Sequence, residues 1–217
     1  MFVQIPYRVA AALLGGGALG VAVTTSLEVV TAPYSSAVSL YALNGVVHMV
    51  KVVALVAFAI GMLGSIAHWR DRLGRLGSTA GRALAIATVA GAVPYTVIES
   101  SLDPGLTPEA ANSRLEAIYE DQPWVGILAS VALPIIVLSV LTLAAVVLAR
   151  RLLPIWAPVS SLLAVPLGVA AMFLAEATGL ELPHPPAWIF LGLATYGAAI
   201  LAADRAEERD LQAHLGR

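Results

Sequence analysis

The sequence predicts an all-α integral membrane protein: a bundle of six transmembrane helices with a short amphipathic helix outside the membrane. Three observations carry this. Hydrophobic residues make up 59% of the 217 positions and charged residues 12%, with a mean hydropathy of +0.86; a soluble domain averages about 25% charged residues. Apolar runs of the roughly 20 residues that a bilayer core requires recur along the chain. Basic residues fall almost entirely in alternate connections between those runs. No polar segment is long enough to fold alone, so residues 1–217 read as one transmembrane domain.

The first helix is expected over about 8–29. Arg8 ahead of an apolar run resembles a secretory leader. The run is long, however, and Pro33 follows the small-residue pair Thr31-Ala32, so it is read as the first membrane helix. Gly15, Gly16, Gly17 and Gly20 permit close helix contact, within the bundle or between copies in a homo-oligomer. They are not a phosphate loop, because no Gly-Lys-Ser/Thr follows. Glu28 lies one turn beyond Thr24 near the end of this helix.

Residues 31–45 are expected to connect, with a short interfacial helix around 36–43 and with Tyr34 and Tyr41 at headgroup level. The second helix, about 46–69, holds the only lysine of the chain, Lys51. Asn44, His48 and Lys51 share one helix face. Ionisable groups are costly in lipid, so they are expected to face protein or a wet cavity. The run 70–82 reads as a loop carrying Arg70, Arg72, Arg75 and Arg82 against one acid, Asp71.

The third helix, about 83–101, carries the stripe Thr88, Gly91, Tyr95, Glu99, with Pro94 as a kink. Asp103 extends the stripe one turn further. Thr107 is a good N-cap, Pro108 suits the first helical position, and Glu109 suits the positive helix end. A helix over 108–120 follows, with Ala111, Leu115, Ile118 and Tyr119 on one apolar face. It is expected to lie over the bundle mouth as a lid. Three more spans are expected, over about 124–149, 155–178 and 187–203. Glu176 lies near the end of the fifth span, and the polar tail 204–217 extends the sixth beyond the membrane. There is no convincing internal repeat.

Six spans place both termini on one side. That side holds Arg8, the four arginines of 70–82, Arg150 and Arg151, and Arg205, Arg209 and Arg217; the other side holds Arg114 alone. Positive residues stay in the cytoplasm, so both termini are expected inside the cell membrane. Arginine in large excess over lysine, with abundant Ala, Leu, Val and Gly, points to a bacterial source of high GC content.

With that topology Glu28, Glu99 and Glu176 lie at the outer ends of three helices, at the depth of His48 and Lys51. Tyr95 and Asp103 belong to the same zone. These seven residues are the candidate catalytic set. Two arrangements fit the spacing: a shared buried cluster around Lys51, or separate side chains snorkelling to the interface.

Several chemistries are excluded or unsupported. With no cysteine there are no disulfides, thiolate metal sites or cysteine nucleophiles. No His-x-x-x-His pair is present, and neither a metal nor another cofactor is expected. No Gly-x-Ser-x-Gly surrounds a serine. The arginine-rich run is accounted for by topology and anionic lipid, so no nucleic-acid partner is expected.

In size, helix number and outer-half acids, the chain resembles the small integral-membrane terpene cyclases. The resemblance is architectural and matches no motif; Asp-Asp-x-x-Asp and Asp-x-Asp-Asp are absent. It implies an isoprenoid or lipid substrate in an apolar cavity, lined here by Tyr95, Met172, Phe173 and Trp188. One of Glu28, Glu99 and Glu176 would be the proton donor, since a carboxyl in apolar surroundings favours its neutral form. Two other readings fit the residues: a non-catalytic assembly subunit, and a proton-coupled transporter using the intramembrane Glu, His and Lys.

Overall fold

The computed structural model describes residues 5–31, 38–102, 108–178 and 182–215. Those residues are helical apart from short connections: α1 (Tyr7–Thr31), α2 (Val38–Ala87), a π-helical segment (Thr88–Ala92), α3 (Val93–Ser100), α4 (Pro108–Asp121), α5 (Pro123–Ala149), α6 (Trp156–Thr178) and α7 (Pro185–Leu215). Five helical stretches are long and apolar enough to cross a membrane: Tyr7–Leu27, Gly45–Ile98, Pro123–Ala149, Trp156–Thr178 and Pro185–Ala206.

The second of these, at 54 residues, would be roughly 80 Å long if straight. A bilayer core is about 30 Å thick. The chain resolves the mismatch at Gly74, whose φ of 64° and ψ of −172° are not helical. The two arms run back along each other. A Cβ on Gly81 would lie 2.6 Å from Ile66 Cδ1, and one on Gly45 would lie 3.9 Å from the Ser100 carbonyl. The long helix is therefore a hairpin of two antiparallel arms joined at Gly74.

The expected loop over 70–82 is a correction. It is helical on both sides of Gly74, so the reversal takes one residue rather than thirteen. The arginines of this run sit on helix ends, where long side chains reach water without breaking the backbone ladder. In the preceding connection the helix starts at Val38 and runs directly into the membrane span; 32–37 lie outside the described residues.

Small residues set the packing. A Cβ on Gly17 would sit 2.4 Å from the Phe58 amide nitrogen, and one on Gly61 would sit 2.2 Å from that of Leu14. The backbones of α1 and α2 thus touch on both sides of one contact, which only glycine allows. On its other flank α1 meets α7, where Gly15 faces Gly197. The glycine run is largely consumed inside the bundle, and only Gly16 has open space around it. Beyond this trio, α6 packs on α7 and α5, and α5 closes the ring against α2 and the π segment. Phe58 and Phe190 meet edge to face in the core, with centroids 5.1 Å apart. Large apolar side chains are also exposed all round the bundle, among them Val53, Ile86, Leu138 and Phe173. Such a surface suits lipid rather than water.

Pro94 is expected to kink this helix, and the feature found beside it is a π-helical segment. Proline has no N–H to donate, and its ring crowds the carbonyl four residues earlier. The preceding turn widens into the π segment Thr88–Ala92. There Gly91 lets α5 approach, since a Cβ would lie 2.1 Å from that of Ala132.

One end of the bundle is tied by named contacts. Arg8 is ion-paired with Asp204, Trp69 Nε1 donates to the Tyr7 hydroxyl at 2.9 Å, and His68 Nε2 donates to the Ile5 carbonyl at 2.9 Å. Arg150 Nη1 donates to the Arg72 carbonyl at 2.8 Å. The opposite end carries α4, which rests on α5 and reaches α3 through a stack of Tyr119 on Tyr95, 6.1 Å between centroids and 11° between planes.

Candidate functional site at the end covered by α4

The α2 hairpin fixes the depth of the polar residues. Gly45 lies beside Ser100 and Ile66 beside Gly81. This antiparallel register brings His48 level with Val97–Ile98 and Lys51 level with Pro94–Tyr95. The α1–α2 contact gives a second register. Gly20 meets Ala54 and Gly17 meets Phe58, so Thr24 lies opposite Lys51 and the backbone of Glu28 opposite 46–47. Three helices therefore bring Glu28, His48 and Glu99 to one depth, with Lys51 about one turn deeper.

Burial sorts the described side chains. His48 is only 5% exposed, so α2 turns it into the bundle. Lys51 is half-buried one turn below. Thr96 is buried beside this level and returns its hydroxyl to the Ala92 carbonyl, at 2.8 Å. On α1, Thr24 is buried and bonds the Gly20 carbonyl at 2.8 Å. The Thr25 hydroxyl is buried with no hydrogen-bond partner among the described residues. Tyr95 sits on a different face of α3 from Thr96 and is partly exposed, carrying the ring on which Tyr119 stacks.

Some candidates lie beyond this view. The side chains of Glu28, Asn44, Glu99, Glu109, Ala111 and Leu115, and the whole of Asp103, Thr107 and Glu181, lie outside the described part of the structure. Glu176 is described, and it stands apart. It is exposed on α6, a helix that packs chiefly on α5 and α7 rather than on α2. The structure does not bring it to His48 and Lys51.

The expected apolar lining also separates. Met172 and Phe173 point out of the bundle, with Phe173 61% exposed. Trp188 is half-buried, and its indole N–H donates to the Pro183 carbonyl at 3.1 Å, which pins the start of α7. Spacing puts residues on a helix but does not say which face is inside, and lipid accepts the same side chains as a core does. The concave feature found at this end is instead an open groove of about 700 Å³ under α4, lined by Ser101, Leu102, Ala110, Ser113, Arg114 and Ile118 among others. Among the described residues no three His, Asp or Glu side chains converge to hold a metal.

Sequence reasoning placed α4 but not what holds it. Tyr119 appears in the sequence only as part of an apolar stripe, and its pairing with Tyr95 depends on how α3 and α4 meet. The Thr-Thr pair at 24–25 was legible as a neighbour of Glu28, whereas the missing partner of Thr25 was not.

No family model, curated protein or solved structure matches this chain.

Proposed function

We propose that the chain is a membrane-bound enzyme of the cell membrane that acts on a lipid or isoprenoid by carboxyl acid–base chemistry at the α4 end. The arginine-rich end and both termini lie in the cytoplasm, because alternate connections carry nearly all the basic residues. The observation that carries the reading is His48, a buried ionisable residue one turn from half-buried Lys51, at the depth to which the registers bring Glu28 and Glu99. An ionisable pair inside a bundle end is costly without a task.

Lys51 is the fixed positive charge of the site and offsets one carboxylate. A second carboxyl in these surroundings keeps its proton. That proton moves to a double bond or an epoxide oxygen of the substrate. The resulting cation expels a proton to restore a neutral product, and the carboxylate is reprotonated, with no net redox change. The resemblance in architecture to small membrane terpene cyclases suggests the isoprenoid class. Because Phe58 and Phe190 fill the core below, the substrate enters sideways from the bilayer, under α4.

The test compares lipid extracts of membranes that hold the wild-type chain, Glu99→Gln or Glu28→Gln, by mass spectrometry. A product present with wild type and reduced about a hundredfold by one of the two substitutions supports the role, the usual scale for a lost general acid. No wild-type-dependent product, or none sensitive to either substitution, overturns it.

A second reading, an assembly subunit, is favoured by one observation: backbone-to-backbone packing of α1 against both α2 and α7 leaves no room between these helices for a substrate. Gly16, outside that packing, would then mark the contact with a second copy. Light scattering of the purified protein separates the two, since a strict monomer removes the homo-oligomer.

A further inference from the structure

We propose that the turn at Gly74 is a binding site for the headgroup of a phospholipid carrying two phosphates. The observation is a concentration of guanidinium charge that makes no ion pair among the described residues. Arg72 and Arg75 flank Gly74 in sequence, and Arg150 lies against it from the end of α5, with Arg151 next in the chain. Consecutive Cα atoms are about 3.8 Å apart, so all four arginines belong to one patch on the order of 15 Å across. None of the four meets a carboxylate among the described residues. Arg150 is engaged by a neutral group, the Arg72 carbonyl, which fixes its position and leaves its charge in place.

Neighbouring guanidinium groups within the patch repel where they lie inside the roughly 8 Å over which physiological salt screens charge. An anion relieves that repulsion. The patch lies where two membrane spans reverse, which is headgroup depth. Leu76, Ile155 and Trp156 beside it are exposed and apolar, suited to the glycerol and upper acyl region. Guanidinium groups bind phosphate oxygens in a bidentate fork. One phosphodiester offsets one charge. Two phosphates on one headgroup match arginines arriving from two chain segments, Arg72 and Arg75 on one side and Arg151 on the other. This site is at the far end of the bundle from His48 and does not depend on the proposed enzyme.

Native mass spectrometry of the full-length protein in detergent, titrated with defined lipids, tests it. Diphosphatidylglycerol is expected to bind at least tenfold more tightly than phosphatidylglycerol, and phosphatidylcholine to bind weakly. Arg72→Gln/Arg75→Gln, and separately Arg151→Gln, are expected to reduce that preference tenfold, with size-exclusion behaviour and thermal midpoint close to wild type. Arg205→Gln, a control at the same end, should leave it within twofold. Equal binding of diphosphatidylglycerol and phosphatidylglycerol to wild type overturns the proposal. A preference that survives in both folded variants, or is lost equally in Arg205→Gln, overturns it as well.

Discussion

The guanidinium of Arg150 fills the space that Gly74 leaves by having no side chain. A Cβ at Gly74 would lie 2.9 Å from Arg150 Nη2, and the same guanidinium donates to the Arg72 carbonyl at 2.8 Å. Breaking a helix frees carbonyls that need donors. Here the break at Gly74 frees one, and Arg150, the residue that follows α5, supplies the donor. The reversal of α2 and the end of α5 thus define each other.

Gly74→Ala should be destabilising twice over. The φ and ψ of Gly74 lie in a region that is essentially glycine's own, where a side chain costs about 1–3 kcal/mol. The new methyl also displaces Arg150. Thermal unfolding in detergent should show a lower midpoint. Arg150→Ala should cost less in the Gly74→Ala background than in wild type, because the two share one contact. Strictly additive effects would show that Arg150 does not support the turn.

The glycines of the membrane spans should divide sharply. Gly61→Ala places a methyl 2.2 Å from a backbone nitrogen of α1, where nothing flexible can yield. A loss above about 3 kcal/mol, seen as aggregation or failure to elute as a single species, is expected. Gly16→Ala and Gly126→Ala meet nothing within 4 Å. Each should be neutral or raise stability by up to about 1 kcal/mol through helix propensity. A folded, wild-type-like Gly61→Ala would contradict the packing described here.

The hold on α4 should depend on one stacked pair. Tyr119→Ala removes a contact of about 0.5–1.5 kcal/mol beyond its area, and Tyr119→Phe keeps it. Hydrogen exchange of 108–121 should quicken severalfold in the alanine variant and stay near wild type in the phenylalanine variant, with α5 unchanged in both. Unchanged exchange in Tyr119→Ala would mean that α5 alone holds the helix.

Sidedness is open to direct labelling, since the chain has no cysteine of its own. Ser113→Cys, exposed on α4, should react with an impermeant maleimide in intact cells; Thr79→Cys, exposed beside the turn, should react only after permeabilisation. The opposite pattern would place the arginine-rich end outside and reverse the topology.

By itself the sequence determined the all-helical, membrane-type architecture, the charge asymmetry between alternate connections and the existence of α4. These follow from quantities that are local in the chain: length of apolar run, residue type in each connection, and a Thr-Pro-Glu start before an amphipathic stripe. Helix rise converts position into height, and from it the sequence reading put Glu28, His48, Lys51, Glu99 and Glu176 at one depth. Only the tertiary structure decided the rest. It turned the chain at Gly74 rather than through a loop, widened a turn ahead of Pro94, consumed most of the α1 glycines inside the bundle, buried His48 and left Glu176, Met172 and Phe173 facing out. The physical reason is the solvent. In water, a helix writes its buried face into the sequence as an apolar stripe. In lipid, both faces are apolar, so which side chains meet is settled by shape: where a glycine lets two backbones touch, and where an arginine from another helix finds a carbonyl to cap.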